Sequence, residues 1–462
     1  MPPEYVWARP AGKKNTMKQT LLLAIALALA LLIPLNAGLA ASHTTPARAV
    51  ANQDLLGMVI RDPWYDFGTN PAIPEQPNTL FQDTMGATLA QIGAHWVRMD
   101  IHVASDTNVT GEIAKNDYFI TQVAPRYGFK ILVLLNFDLV QNQDPRQLNS
   151  TSYISSTFGG GVNAYMDTWL QRALTVADRY GSQIAAYEVL NEENRLPQTS
   201  PNGPSGDAID PGVVGRLITK LYRFCRHIQP LPTNEPVHGC SSASILLGGL
   251  QPRGTSNSSG ATVLTDAQYL QAVYQDPQSF AGFKNDPSHP YYPVDGVGYH
   301  PYPQEILLSP NDAEVNHGID RMRQALITVG DSCRPLWVTE IGYNVGFDPD
   351  GSAGPTPPQT AQGQANFLQD IYSSLGARQI CGHQLEIPHI FWFKYEDFPP
   401  DSGPDAQNWG IVHIPFSSNS SCPGGACYAL NGAPDLYRPA YFVYRQLAGL
   451  PVYQSYAPQF YH

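Results

Sequence analysis

Two short stretches concentrate the residues that could do chemistry. "EVLNEEN" occupies 188–194 and "WVTEIGY" occupies 337–343, and each follows an apolar run with carboxylates. Two carboxylates can share the breaking of one bond, the first protonating a leaving oxygen while the second stabilises or attacks the carbon that loses it. Acetal hydrolysis needs that division. Glu192 and Glu340 are the candidates for the two roles, with Glu188 and Glu193 as supporting or rim residues. The competing reading of Asn191-Glu192-Glu193-Asn194 is a solvated acidic loop. Only a partner carboxylate in the matching place of the fold separates the two.

Such a pair needs a rigid frame. Short apolar runs recur at 55–61, 95–101, 131–137, 184–190, 243–250, 294–302, 335–343 and 389–397. Helical spacing marks 79–93, 116–127, 162–180, 212–229, 265–276, 318–329, 359–376 and 438–450. Eight strand signals alternating with eight helix signals predict an α/β fold, a single (β/α)8 TIM barrel with long βα loops. A doubly wound sheet is the alternative. The long insertions follow the fourth, fifth, seventh and eighth strands, at the face where this fold builds its sites.

Polar residues in the last positions of each strand project into the barrel mouth, and period-two alternation puts those of the second and sixth strands on one face. The second offers Arg98, Asp100 and His102; the third, Asn136 and Asp138; the sixth, His300 and Tyr302. The seventh offers Glu340 and Tyr343, and the eighth Trp392, Lys394, Tyr395, Glu396 and Asp397. Arg98 and Tyr302 are donors suited to keeping a nucleophilic carboxylate ionised. An aromatic ring such as Trp392 would bind the apolar face of a sugar. Plainer roles compete: Arg98 as a partner of Asp100, His300 and Tyr302 as a strand cap, and Trp392, Asn136, His102 and Tyr343 as packing.

The two stretches resemble the paired signatures of glycoside hydrolase clan A, retaining (β/α)8 enzymes with glutamates on strands four and seven. The similarity extends to Arg98 on strand two, "GYHPY" (298–302) on strand six and Trp392 on strand eight. Family-five cellulases and mannanases and family thirty-nine xylosidases share this set. The resemblance implies Glu192 as acid/base and Glu340 as nucleophile. It also implies that Asn191 holds the 2-hydroxyl of the sugar in the −1 subsite, that Arg98 and Tyr302 bond the nucleophile, and that His300 lines the pocket. Trp392 would be the stacking floor, and Asn136 and Tyr343 are further substrate-binding candidates. Two positions depart from the pattern: Glu193 stands where the motif has proline, and Asn136 where family-five enzymes often carry histidine. The implied substrate is a polysaccharide or oligosaccharide, and the alternative function is a catalytically inactive carbohydrate-binding barrel. The chain has no G-x-S-x-G elbow, which excludes an α/β-hydrolase esterase.

Composition narrows the partners. The 462 residues carry a net charge of −12, which argues against nucleic acid or an anionic membrane as the ligand. No Cys/His group has zinc-ligand spacing, and the expectation is no cofactor and no metal. Lys13, Lys14 and Lys18 precede the apolar 21–40, the pattern of a secretory signal region (1–40) cleaved after Ala40, with Met17 as the natural start. An uncleaved anchor is the alternative, although Pro34 and Asn36 interrupt the run. Residues 41–53 read as a linker and 54–462 as the catalytic domain of a secreted protein. Cysteine proximity favours the pairs Cys225–Cys240, Cys333–Cys381 and Cys422–Cys427. Sequons lie at Asn108, Asn149, Asn257 and Asn419.

Overall fold

Eight parallel strands close into a barrel: β1 Leu56–Val59, β2 Trp96–Asp100, β3 Lys130–Leu135, β4 Ala186–Asn191, β5 Ser244–Leu250, β6 Gly296–Tyr299, β7 Leu336–Gly342 and β8 Ile390–Phe393. The last pairs with the first, Leu56 opposite Ile390 and Met58 opposite Trp392. This computed structural model describes residues 52–60, 69–70, 73–140, 143–195, 208–255, 262–302, 312–346, 359–398, 408–418 and 426–452. The signal region and most of the linker expected from sequence lie outside the described residues, as do Asn257, Asn419 and Cys422. The described elements belong to one unit, Ala47–His462.

The principal helices, beside the short Val109–Ala114 and Phe280–Lys284, are α1 Thr79–Ile92, α2 (a π-helical Phe119–Val123 continued by Ala124–Tyr127), α3 Ala164–Tyr180, α4 Pro211–Arg226, α5 Asp266–Gln275, α6 Asp312–Thr328, α7 Ala361–Leu375 and α8 Pro439–Leu447. The alternation read from sequence is the architecture of the chain. In α3, Tyr165, Trp169, Leu170, Ala173, Val176, Ala177 and Tyr180 are buried at three- and four-residue spacing, so one face seals against the strands. Asn163 starts that helix by accepting the Met166 amide at 2.9 Å. Pro211 occupies the first turn of α4, where Asp210 accepts the amides of Gly212 and Val213. Cys225 at the end of α4 is bonded to Cys240 ahead of β5, and Cys333 after α6 to Cys381 after α7. Both are expected pairs.

Inside the barrel, Val59, Trp96, Leu132, Ala186, Leu246, Trp337 and Phe391 form an apolar plug, most of them in the N-terminal half of their strands. Alternate residues, among them Met58, Val97, Val133, Val338 and Trp392, face the helices. One irregularity re-aims the site. Val338 pairs with Ile390 and Ile341 with Trp392, so three residues of β7 span two of β8. This bulge rephases β7, and Trp337 and Glu340 both point inward although three apart.

Candidate active site

The mouth is assembled from the ends of β2, β4, β6 and β7. At β4 the chain turns through two left-handed non-glycine residues, Leu190 (φ 66°) and Glu192 (φ 51°). Such conformations cost about 1–3 kcal/mol each and persist where surroundings impose them. Here the surroundings do. The Glu192 amide donates to Gly249 O at 3.1 Å and the Ile209 amide to Glu193 O at 2.9 Å. Asn194 exchanges two bonds with the Gln251 backbone, at 2.8 and 3.1 Å.

Arg98 is the hub. It rises from β2, 3% exposed, and donates to Glu188 Oε2 at 2.7 Å, Asn191 Oδ1 at 3.0 Å and Glu340 Oε2 at 3.2 Å. Burial alone would weaken its hold on the proton, but the charges of Glu188, Glu340 and Asp100 outweigh that and its affinity rises. Tyr302 donates to the other oxygen, Glu340 Oε1, at 3.0 Å. Burial first, then Glu340, pushes the Tyr302 phenol far above its ordinary range, so it stays a donor. Glu340 therefore sits between one cation and one hydroxyl.

Glu192 has a different neighbourhood. Its Oε1 lies 2.9 Å from His300 Nδ1, and its Oε2 accepts from Gln251 Nε2. Burial opposes charge on His300, yet Glu340 and the bond to Glu192 win, and its affinity for the proton rises above 6.5. Gly249 is required behind the ring, because an added Cβ would fall 2.0 Å from His300 Nε2. Gly298 likewise leaves room for Glu188, whose Oε1 would be 2.7 Å from a Cβ there. One ligand atom each from Glu192, His300 and Glu340 lie within 4.8 Å of one another. Those three atoms could in principle face a metal ion. The Arg98 cation 3.2 Å from Glu340 and the proton demand of His300 oppose that use.

Arg98, Asn191, Glu192, His300, Tyr302 and Glu340 are thus brought together. Trp392 and Tyr343 are not. Phe391 faces the barrel interior, so its neighbour Trp392 faces outward; it is fully buried, 6.2 Å from the Phe367 ring of α7, and cannot be a stacking floor. Tyr343 is turned the same way, 6.0 Å from Phe367 with its hydroxyl over Gly363. The inward aromatic of β8 is Phe393, half-buried and 5.6 Å from Trp409, which stands 5.8 Å from Tyr302. Asn136 follows β3 with its amide oxygen buried and without a partner among the described residues, and its carbonyl accepts from Trp169. It bonds neither glutamate.

Other polar residues near the strand ends hold the frame. Lys394 and Glu396 form a fully buried ion pair at 2.5 Å, and Asp397 takes two 2.8 Å bonds from Arg438 at the start of α8. Glu193, expected near the rim, is fully buried, and neither carboxyl oxygen has a hydrogen-bond partner among the described residues. Burial, with smaller contributions from Glu188 and Glu192, pushes its pKa up to about 8. Sequence reading missed Gln251, Phe393 and Trp409. The alternation fixed by Phe391 could have found Phe393; Gln251 and Trp409 lie in loops with no period to read.

No protein-family model matches the sequence, and no curated protein does. Solved structures do. A thermostable mutant of a xylanase from Cellvibrio japonicus superposes with TM-score 0.52 at 12% identity, over 85% of this chain and 97% of that one. The catalytic core of xylanase A gives TM-score 0.50 at 12% identity, over 85% and 97%. The endo-β-1,4-mannanase from Thermotoga petrophila gives 0.47 at 11%, over 88% and 77%. At such identities the likeness is one of fold, and the fold of this chain is the (β/α)8 TIM barrel.

Proposed function

We propose that the chain is an exported β-glycoside hydrolase of the clan A type, cleaving O-glycosidic bonds of a polysaccharide or oligosaccharide with retention of configuration. The observation that carries this reading is the pair Glu192 and Glu340, with an oxygen of each within 4.8 Å. Retaining enzymes hold their carboxyl groups about 5–5.5 Å apart and inverting ones about 6.5–9.5 Å, and the approach of one oxygen of each within 4.8 Å is compatible with the two-step route. The asymmetric surroundings support the division of labour. Glu340, between Arg98 and Tyr302, attacks the anomeric carbon as an anion. Glu192, oriented by His300 and Gln251, gives its proton to the leaving oxygen. A glycosyl ester of Glu340 results; Glu192 then takes a proton from water, which attacks the same carbon and releases Glu340.

Asn191, fixed by Arg98 at 3.0 Å, is placed in this account to bond the 2-hydroxyl. Phe393 and Trp409 take the aromatic role first expected of Trp392. Xylanases and a mannanase among the structural neighbours are in keeping with a glycan substrate. Two disulfides are in keeping with export, and among the described residues no helix is long and apolar enough to cross a membrane. The test is a panel of aryl β-glycosides, β-glucans, mannans and xylans. The wild type should hydrolyse at least one, and Glu340→Gln should lower that rate by roughly 10⁴-fold or more while sugar binding survives. A folded wild type inert on the whole panel would contradict the proposal.

A further inference from the structure

A second feature lies on the barrel's flank. A cavity of about 650 Å³ is bordered by the 157–161 loop ahead of α3, by α4, and by segments that follow α4 and α5. The last two lead into β5 and β6 from the strand ends opposite the mouth. Arg216, Lys220 and Arg223, four and three residues apart on α4, share one helix face and all line it. Among the described residues, no aspartate, glutamate or histidine does. In a chain of net charge −12, three cations without a carboxylate among the lining residues call for an explanation.

The cations are only partly satisfied by the protein. Lys220 Nζ donates to Phe158 O at 2.8 Å, which uses one of its three protons. Arg216 Nη1 donates to Gln278 Oε1 at 3.0 Å, while its Nε is buried with no partner among the described residues. Burial, then repulsion by Arg216 and Arg223, pulls the Lys220 ammonium down to about 8. The amides of Gly160 and Gly161 have no backbone acceptor among the described residues either. The remaining walls are largely apolar, with Pro230, Leu231, Pro232 and Pro277 beside three buried phenylalanines: Phe158 and Phe224 meet at 4.8 Å, and the Arg223 guanidinium lies 4.7 Å over the Phe283 ring.

We infer that this cavity is a second binding site, for a saccharide that bears a phosphate or sulfate group. The oxyanion is met by Arg216 and Lys220 together with the glycine amides, a donor set matched to its several acceptor oxygens. The sugar ring packs its CH faces on the accessible apolar wall of Pro230, Leu231 and Pro232. The cation part of this inference stands on the cavity alone; the saccharide part rests on the proposed glycosidase reading.

Calorimetric titration of the full chain tests it, using glucose 6-phosphate, glucose 6-sulfate, neutral glucose and inorganic phosphate as probes at low salt. The expected result is a Kd below about 1 mM for at least one of the two sugar esters, weakening as salt screens the cations, and no comparable binding of glucose. Whichever ester binds more tightly identifies the oxyanion. Lys220→Gln and Arg216→Gln should each weaken binding at least tenfold, and Lys220→Arg should keep it within a few-fold, which separates charge from folding. Glu340→Gln, at the mouth, should leave the affinity unchanged, so the result does not depend on turnover. The absence of binding by every anionic probe would overturn the site. Affinity of Lys220→Gln equal to wild type would do the same, and inorganic phosphate binding as tightly as the sugar esters would overturn its saccharide character.

Discussion

His300 and His389 are buried at opposite ends of one barrel, and their proton affinities move in opposite directions. His300 faces Glu192 and Glu340 at the mouth, and its affinity rises above 6.5 against the cost of burial. His389 sits at the closed end between Trp96 and Trp337, ring centroids 4.4 and 4.1 Å away, with Nδ1 2.6 Å from Asp54 O. Burial there dominates and its pKa falls to about 4. Both rings lose water. What separates them is the balance against burial: Glu340 and Glu192 outweigh it at His300, whereas Asp54, opposed by Lys130, does not at His389. The closed end is an aromatic plug that holds the barrel, and the mouth is a charged layer that the plug supports.

The largest expected effect belongs to the mouth. Glu192→Gln should slow hydrolysis of an alkyl or sugar leaving group by about 10²–10⁴-fold. An aryl glycoside whose phenol leaves unprotonated should lose far less in its first step, and kcat/KM on both substrates, which reports that step rather than the shared deglycosylation, checks this. Equal losses on the two substrates would remove Glu192 from the acid role. At the closed end the same kind of cut should read as stability. Trp337→Ala removes a buried ring from the plug and should cost about 3–5 kcal/mol of unfolding free energy, measured in denaturant, with kcat near wild type. A large fall in kcat with little loss of stability would break the division between the two ends.

The aromatic assignment sharpens the comparison within one strand. Phe393→Ala should raise KM or lower kcat/KM by about tenfold through a lost sugar contact, whereas Trp392→Phe should leave kcat/KM within a few-fold. Kinetics on one neutral substrate distinguishes the two, and the reverse ranking would restore Trp392 to the site.

The smallest effects are the pH slopes, and the two histidines should give opposite signs. Below about 6.5 the unfolded chain protonates a histidine that folded His389 leaves neutral until about 4. His389 therefore costs stability as pH falls through that window, at most about 1.4 kcal/mol per pH unit, and His389→Phe should flatten the acid side. His300, raised, contributes stability that is fully present below 6.5 and lost as pH rises through its folded value. Glu193 adds to the alkaline decline: its folded proton, held to about 8 against an ordinary 4.5, favours the fold at low pH, and Glu193→Gln should lessen the loss between those values. Denaturant melts from pH 4 to 9 would show each slope.

Much of this was legible in the sequence because barrels repeat. Each expected strand and helix has its counterpart within a few residues, since a strand buried on both faces and an amphipathic helix leave strong periodic traces. Glu192, Glu340, Arg98, Asn191, His300 and Tyr302 converge as their strand ends required. Trp392 misled because residue type was read ahead of phase: Phe391 faces inward, so Trp392 cannot. The bulge in β7 has no local signature, yet it sets the direction of Glu340. Glu193 looked like a rim residue because a glutamate beside another glutamate suggests solvent, whereas the left-handed turn at Glu192 carries it inside.

The proposed two-step displacement at Glu192 and Glu340 has one direct measurement. Proton NMR of the first product formed from a hydrolysed β-glycoside, recorded before mutarotation, reports the anomeric configuration of the released sugar. The two-step route predicts the β anomer, formed by two inversions. The α anomer as first product would contradict the covalent role of Glu340.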